Sequence, residues 1–295
     1  MRFALTGVGT GSTARPEPLR EVVQKAEALG YESVWIPEHL AVPVNMTTPY
    51  PYSANGEFPG GAMVALHDPF VALSFIASCT ERIKLGTAVF VLPLRNPIAT
   101  AKAVASLDVL SNGRLLLGVG IGWLKEEFEV VGMPFDDRAA RTREAIRMMK
   151  HLWTDDLPEF SGRFHQFPPL GFNPKPVQKP HPPILFGGET EAALKRAAAL
   201  GDGWIGVQHD PASVAEKVRM LKRLVKEAGR DFSRFEITVG PKPGLKVDLD
   251  VVERFTAAGV HRLIVFAPGF VKRSRFESDL FPMMSRFADE VIAKS

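Results

Sequence analysis

The stretch PPILFGGETEAALKRAAALGDGWIGV, residues 182–207, decides how the chain is read. Pro183–Phe186 is an apolar run of strand length. Glu191–Leu200 spaces its alanines and leucines as a helix does, and Trp204–Val207 is strand-like again. Strand, helix and strand in so short a span make a βαβ unit, whose two strands run parallel. The rhythm continues outward. Upstream, Phe3–Val8, Ser33–Pro37, Lys84–Leu92 and Arg114–Ile121 are predicted strands. They are followed by helices over Leu19–Leu29, Pro69–Ser78 (capped by Asp68), Ile98–Leu110 and Arg138–Trp153. Downstream come helices over Val214–Ala228, Leu249–Ala258 and Phe281–Ala293, with strands over Phe235–Val239 and Arg262–Phe266. Eight strand–helix pairs in 295 residues are the count for a single α/β domain, a TIM-type (β/α)₈ barrel over residues 1–295. A doubly wound sheet also alternates, but it usually brings a dinucleotide fingerprint. Gly7-Val8-Gly9-Thr10-Gly11-Ser12 and Gly118-Val119-Gly120-Ile121-Gly122-Trp123 both lack its third glycine at the required offset.

Two connections are insertions in this plan. Leu40–His67, after strand two, leaves the C-terminal end of a strand, where barrel active sites sit, and is expected to be a substrate lid. Thr154–Pro182, before strand five, contains seven prolines and enters from the opposite end, as a structural wrap or subunit contact would. Hydrophobic residues make up 45% and charged ones 23%, which excludes collagen-like and disordered chains. A net charge of +3 is no nucleic-acid footprint. The single cysteine, Cys79, forms no internal disulfide and is read as a buried thiol; no apolar run reaches membrane-helix length. A cytoplasmic protein with no membrane partner is expected.

The strand ends carry the candidate chemistry. His39 stands at the exit of strand two, suited to proton transfer or to a hydrogen bond with a ring, and equally suited to a buried structural role. Glu38 precedes it, and strand alternation sends the two side chains opposite ways. Gly187-Gly188 opens a helix and could cradle a phosphate with free amides, Thr190 adding a hydroxyl; a tight strand-to-helix turn explains the pair equally well. The Glu189 carboxylate would repel an anion there. Gly118, Gly120 and Gly122 leave either a smooth wall for a flat ring or room for close packing. Trp35, Trp123, Tyr50 and Tyr52 hint at an apolar or planar substrate, and core packing explains the two tryptophans equally well. No metal-ligand spacing and no Gly-x-Ser-x-Gly elbow is present, so no metal is expected.

These motifs together resemble the bacterial luciferase-like monooxygenase superfamily. The residues concerned are Trp35-Ile36-Pro37-Glu38-His39, Leu85-Gly86-Thr87-Ala88-Val89 with Arg95-Asn96-Pro97, Leu107–Arg114, Gly118–Glu127, and Pro182–Gly188 with Gly201-Asp202-Gly203-Trp204. The nearest likeness is to the deazaflavin F420-dependent branch, with FMN-dependent members close behind. The resemblance implies a barrel that binds F420, or alternatively FMN, without a covalent bond at its C-terminal mouth. It implies His39 as the catalytic residue and a cofactor contact, and a non-prolyl cis peptide at Ala88–Val89 against the ring. Ile121 and Gly122 would line the cofactor, while Gly187, Gly188, Glu189 and Thr190 would lie at its phosphate. Trp123 stands where sugar-phosphate dehydrogenases of the F420 branch carry a catalytic glutamate, and Ile121 where luciferase has a phosphate-binding arginine. The implied activity is hydride transfer to or from a small organic substrate. The alternatives are an FMN-dependent monooxygenase using O₂ and a non-catalytic cofactor-binding barrel. The expected partners are that substrate, a separate cofactor reductase and a second copy of the chain in a dimer.

Overall fold

The computed structural model describes residues 1–295 and closes as a barrel. Its eight strands are Arg2–Thr6, Ser33–Ile36, Lys84–Thr87, Leu115–Gly120, Ile184–Gly187, Gly203–His209, Glu236–Pro241 and Arg262–Phe266. All pair in parallel, and the ring closes where Phe3 lies opposite Leu263. The outer helices are Pro16–Ala28, Pro69–Cys79, Pro97–Leu110, Arg138–Thr154, Glu191–Leu200, Pro211–Glu227, Leu249–Ala257 and Phe281–Glu290. Asp68 caps the second of these through the amides of Phe70 and Val71. No helix is long and apolar enough to cross a membrane.

Two hydrophobic layers follow from the alternation of side chains along each strand. The larger lies between strands and helices. The smaller fills the barrel itself with Ala4, Trp35, Leu116, Leu185 and Ile205, and Ala88, Val89 and Ile264 pack against it. The fully buried Arg262 closes the N-terminal end: it bonds Glu32 at 2.7 and 2.8 Å, pairs with Glu236, and lies 5.4 Å from the Trp35 ring centre. Trp35 therefore lines no substrate pocket. Its indole is interior packing, with Nε1 bonded to Ser33 Oγ at 2.9 Å.

The structure departs from the predicted elements in four places. The run Lys84–Leu92 is not one strand, because the Ala88–Val89 peptide is cis and separates Lys84–Thr87 from a two-residue strand, Phe90–Val91. A short helix, Lys125–Val131, lies between strand four and its outer helix. Glu126 and Glu127 suit the positive end of that helix, and Gly132, at φ 72°, stops it. The second insertion holds a hairpin, Phe160–Ser161 with Gln166–Phe167. The last helix ends at Glu290, before a 3₁₀ turn.

That second insertion is a wrap. Glu144 accepts the amides of Arg163, Phe164 and His165, and the buried Asp108 binds the Gln178 amide at 3.0 Å. The first insertion crosses the C-terminal mouth: Gln208, at the end of strand six, donates to the Tyr52 carbonyl at 2.6 Å, and Thr10 bridges Leu66. Cys79 is half-buried, and burial raises its thiol pKa.

Candidate active site

Strand two is buried on both faces and breaks at Pro37, which delivers Glu38 and His39 to the mouth in opposite directions. Glu38 turns behind strand three. One oxygen accepts the Val91 amide at 2.6 Å and the other pairs with Arg95, which also binds Asp68 at 2.7 Å. Burial pushes the Glu38 carboxyl up to about 7, against the opposing pull of Arg95 and the Val91 amide.

His39 turns the other way, toward Phe58 of the first insertion. Its Nδ1 lies 2.8 Å from Oε2 of Glu127, which is only 1% exposed. The other Glu127 oxygen accepts the amides of Leu40 at 2.6 Å and Ala41 at 3.2 Å. A carboxylate that accepts two amides remains an acceptor toward the ring, so the imidazole carries a proton on Nδ1. Nε2 has no partner within the chain. Phe58 meets the imidazole edge-on at 4.8 Å and Trp123 at 5.7 Å; Tyr50 packs on Trp123 at 5.2 Å. Phe58 and Trp123 border a cavity of about 610 Å³ that Thr47, Thr48 and Glu57 also line. The lid is tied down from the same short helix as His39. Glu126 accepts the Thr47 amide and hydroxyl at 2.7 and 2.6 Å and the Thr48 amide at 2.9 Å.

The glycines of strand four answer to packing. A Cβ on Gly120 would stand 2.5 Å from Val89 Cγ2, and one on Gly187 2.8 Å from Val89 Cγ1. The cis bend drives the Val89 side chain over both positions, so the expected smooth wall is occupied by Val89, and Gly187 faces a methyl group. Ile121 and Gly122 stay half-buried at the rim, and the Gly122 carbonyl accepts Arg138 Nε at 3.3 Å.

Beside them the helix Glu191–Leu200 begins. Thr190 caps it, its hydroxyl accepting the Ala193 amide at 3.2 Å. The amides of Glu189, Thr190, Glu191 and Ala192 have no acceptor in the chain. Gly188, at φ 119°, adopts a backbone that side chains resist, and its carbonyl accepts Trp204 Nε1 at 2.8 Å. The Glu189 side chain leaves this corner. It binds the Val207 amide at 2.9 Å and His209 Nε2 at 3.0 Å, which removes the expected repulsion of an anion. The site thus fits an anionic ring cofactor: a cradle that a Cβ would narrow, four free amides, and a histidine nitrogen without a partner in the chain.

Glu127 is the residue that sequence reasoning missed. Lys125-Glu126-Glu127 looks like solvated charge, yet helical spacing from Leu124 and Phe128 turns Glu127 inward.

The site is a carboxylate-backed histidine at the mouth of a parallel barrel, crossed by the first insertion and set beside a helix start with four free amides. The chain belongs to the luciferase-like monooxygenase family, whose model matches residues 1–279. An uncharacterized Mycobacterium tuberculosis protein is 36% identical over 92% of this chain and 94% of its own length. An F420-dependent glucose-6-phosphate dehydrogenase of Amycolatopsis mediterranei is 34% identical over 64% of this chain and 53% of its own. An FMNH₂-dependent dimethylsulfone monooxygenase of Pseudomonas putida is 35% identical over 46% and 38%. Among solved structures, an F420-dependent secondary alcohol dehydrogenase superposes with a TM-score of 0.74 at 18% identity, covering 99% of this chain and 98% of that one. The chain is a luciferase-like family oxidoreductase with a TIM-type fold.

Proposed function

We propose that the chain binds F420 at the barrel mouth and that His39 serves the substrate under the lid. The observation that carries this is the imidazole itself, held at Nδ1 by Glu127 at 2.8 Å, with Nε2 left without a partner in the chain and Phe58 and Trp123 packed edge-on against the ring. Bound F420 supplies hydride transfer at its deazaflavin ring, as reduced FMN would supply O₂ activation. The rest falls to the chain. The amides from Glu189 to Ala192 hold the phosphate, and Gly188 lets it approach. Ala88, Val89, Ile121 and Gly122 border the ring. Nε2 accepts the proton of a substrate hydroxyl or, once protonated, returns it to a carbonyl oxygen, while Glu127 keeps the ring oriented. Tyr50, Phe58 and Trp123 exclude water and favour a small apolar or planar substrate. A dimer and a separate cofactor reductase are the partners proposed with this reading. FMN-dependent monooxygenation is the second reading, favoured by the Pseudomonas putida relative.

The test uses reduced F420 without oxygen and a panel of ketones, aldehydes and enones, read by the return of the oxidised absorption. Wild type is expected to turn over at least one of them. His39→Ala should lose about 10²–10⁴-fold in rate with cofactor affinity little changed. Equal rates in both proteins would remove His39 from the mechanism. Cofactor binding without turnover, with or without O₂, would make the chain a binding protein.

A further inference from the structure

Among Asp, Glu, Lys and Arg, the first insertion, Leu40–His67, holds a single residue, Glu57, in a chain where 23% of residues are charged. That one carboxylate lines the cavity of about 610 Å³ within the insertion. One of its oxygens accepts Asn55 Nδ2 at 2.7 Å, and the other has no partner in the chain. Met46, Thr47 and Thr48 line the cavity from one limb of the insertion, Asn55, Glu57 and Phe58 from the other, and Trp123 joins them from the exit of strand four. The Phe58 and Trp123 rings are centred 6.0 Å apart at a tilt of 38°, and both also pack on His39.

The charge around this chamber has one sign. No lysine, arginine or histidine lines it. Glu126, which holds Thr47 and Thr48, has a second oxygen, Oε2, sealed without a donor. The neighbouring Lys125 pairs with Glu129 at 3.7 Å. An anion entering the chamber would meet carboxylates and no counterion. A cation would meet the opposite charge, which a cleft of one sign concentrates, and two aromatic rings, which attract a cation through their electron-rich faces. The volume is that of a small-molecule site.

We propose that this chamber binds a small organic cation of the ammonium class, with Glu57 as its counterion and Phe58 and Trp123 as its aromatic walls. Assigning that cation to the substrate, as a charged end on the apolar or planar molecule read above, rests on the proposed function; the site itself does not.

Calorimetric titration with choline and with its uncharged isostere 3,3-dimethylbutan-1-ol, at one ionic strength, tests the site in the intact chain. Wild type should bind choline at one per chain and at least tenfold more tightly than the isostere. Glu57→Gln, which keeps the size of the side chain, should bring choline to the level of the isostere. Phe58→Leu should weaken choline more than the isostere. Equal affinity of wild type for the two compounds, no binding of choline, or a choline affinity untouched by Glu57→Gln would overturn the proposal and leave Glu57 a solvated lid charge. Turnover with reduced F420 then assigns the ligand. A methyl ketone bearing a trimethylammonium group should show a KM at least tenfold below that of its tert-butyl counterpart, a difference that Glu57→Gln abolishes. One KM for both ketones would remove the cation from the substrate. If F420 does not bind while the preference for choline and its loss in Glu57→Gln persist, the proposed function fails and the cation site stands.

Discussion

At the scale of single residues, strand two shows what local rules can and cannot deliver. Side-chain alternation alone separates Glu38 from His39, and in the folded chain the two leave on opposite sides. What each one meets was not legible, because Glu127 is 88 positions from His39 and Arg95 is 57 from Glu38. The Glu38 environment has a pH signature. Its folded carboxyl is raised to about 7 from 4.5, so between those values the folded protein holds a proton that the unfolded chain has released. Stability must then fall as pH rises through that window. Glu38→Gln should lack this part of the slope, which urea unfolding at pH 5 and pH 7.5 would show. Identical slopes in the two proteins would mean that Glu38 is ionised throughout.

At the scale of elements, the regular pieces were readable and the irregular ones were not. Pro and Gly punctuation and helical spacing located the outer helices, as at Asp68-Pro69 and Asn96-Pro97. The cis peptide at Ala88–Val89 that the family likeness implied is present, but the apolar run Lys84–Leu92 carries no local mark of it, since the glycines that accommodate it, Gly120 and Gly187, sit on other strands. The lid was recognisable as a long insertion, but its fastening was not. Glu126 holds Thr47 and Thr48, and the Thr47 hydroxyl, first among its contacts, keeps the Glu126 carboxyl well below the usual range. A depressed carboxyl contributes its stabilisation above the ordinary carboxylate pKa and loses it as pH falls. Glu126→Gln should therefore raise amide hydrogen exchange across Ala41–Gly60 at neutral pH and leave the barrel strands protected. Acidification should have the same effect on wild type. Unchanged exchange in the lid would show that the aromatic cluster alone keeps it closed.

At the scale of the molecule, counting strand–helix pairs was enough for the barrel, because each βαβ unit is local and its handedness is nearly invariant. Closure between strands one and eight joins residues about 260 positions apart and had no local signal. The Arg262 plug is part of that closure, binding Glu32, just before strand two, and Glu236 of strand seven. Arg262→Met removes the buried cation of the network and leaves Glu236 with Arg2 at 3.2 Å and Glu32 with Lys84 at 3.7 Å, so it should cost ~1.5–3 kcal/mol in denaturant unfolding. A loss under about 1 kcal/mol, the scale of an exposed pair, would mean that the plug is solvated. The proposed cofactor belongs at the opposite end, where lid, histidine and anion cradle meet. An absorption titration of the purified protein with F420, and in parallel with FMN, reads its binding without any assumption about substrate. The expected result is a saturable spectral change with F420 at one cofactor per chain and weaker binding of FMN. No change with F420 alongside tight FMN binding would contradict the cofactor assignment, and silence with both would contradict the site.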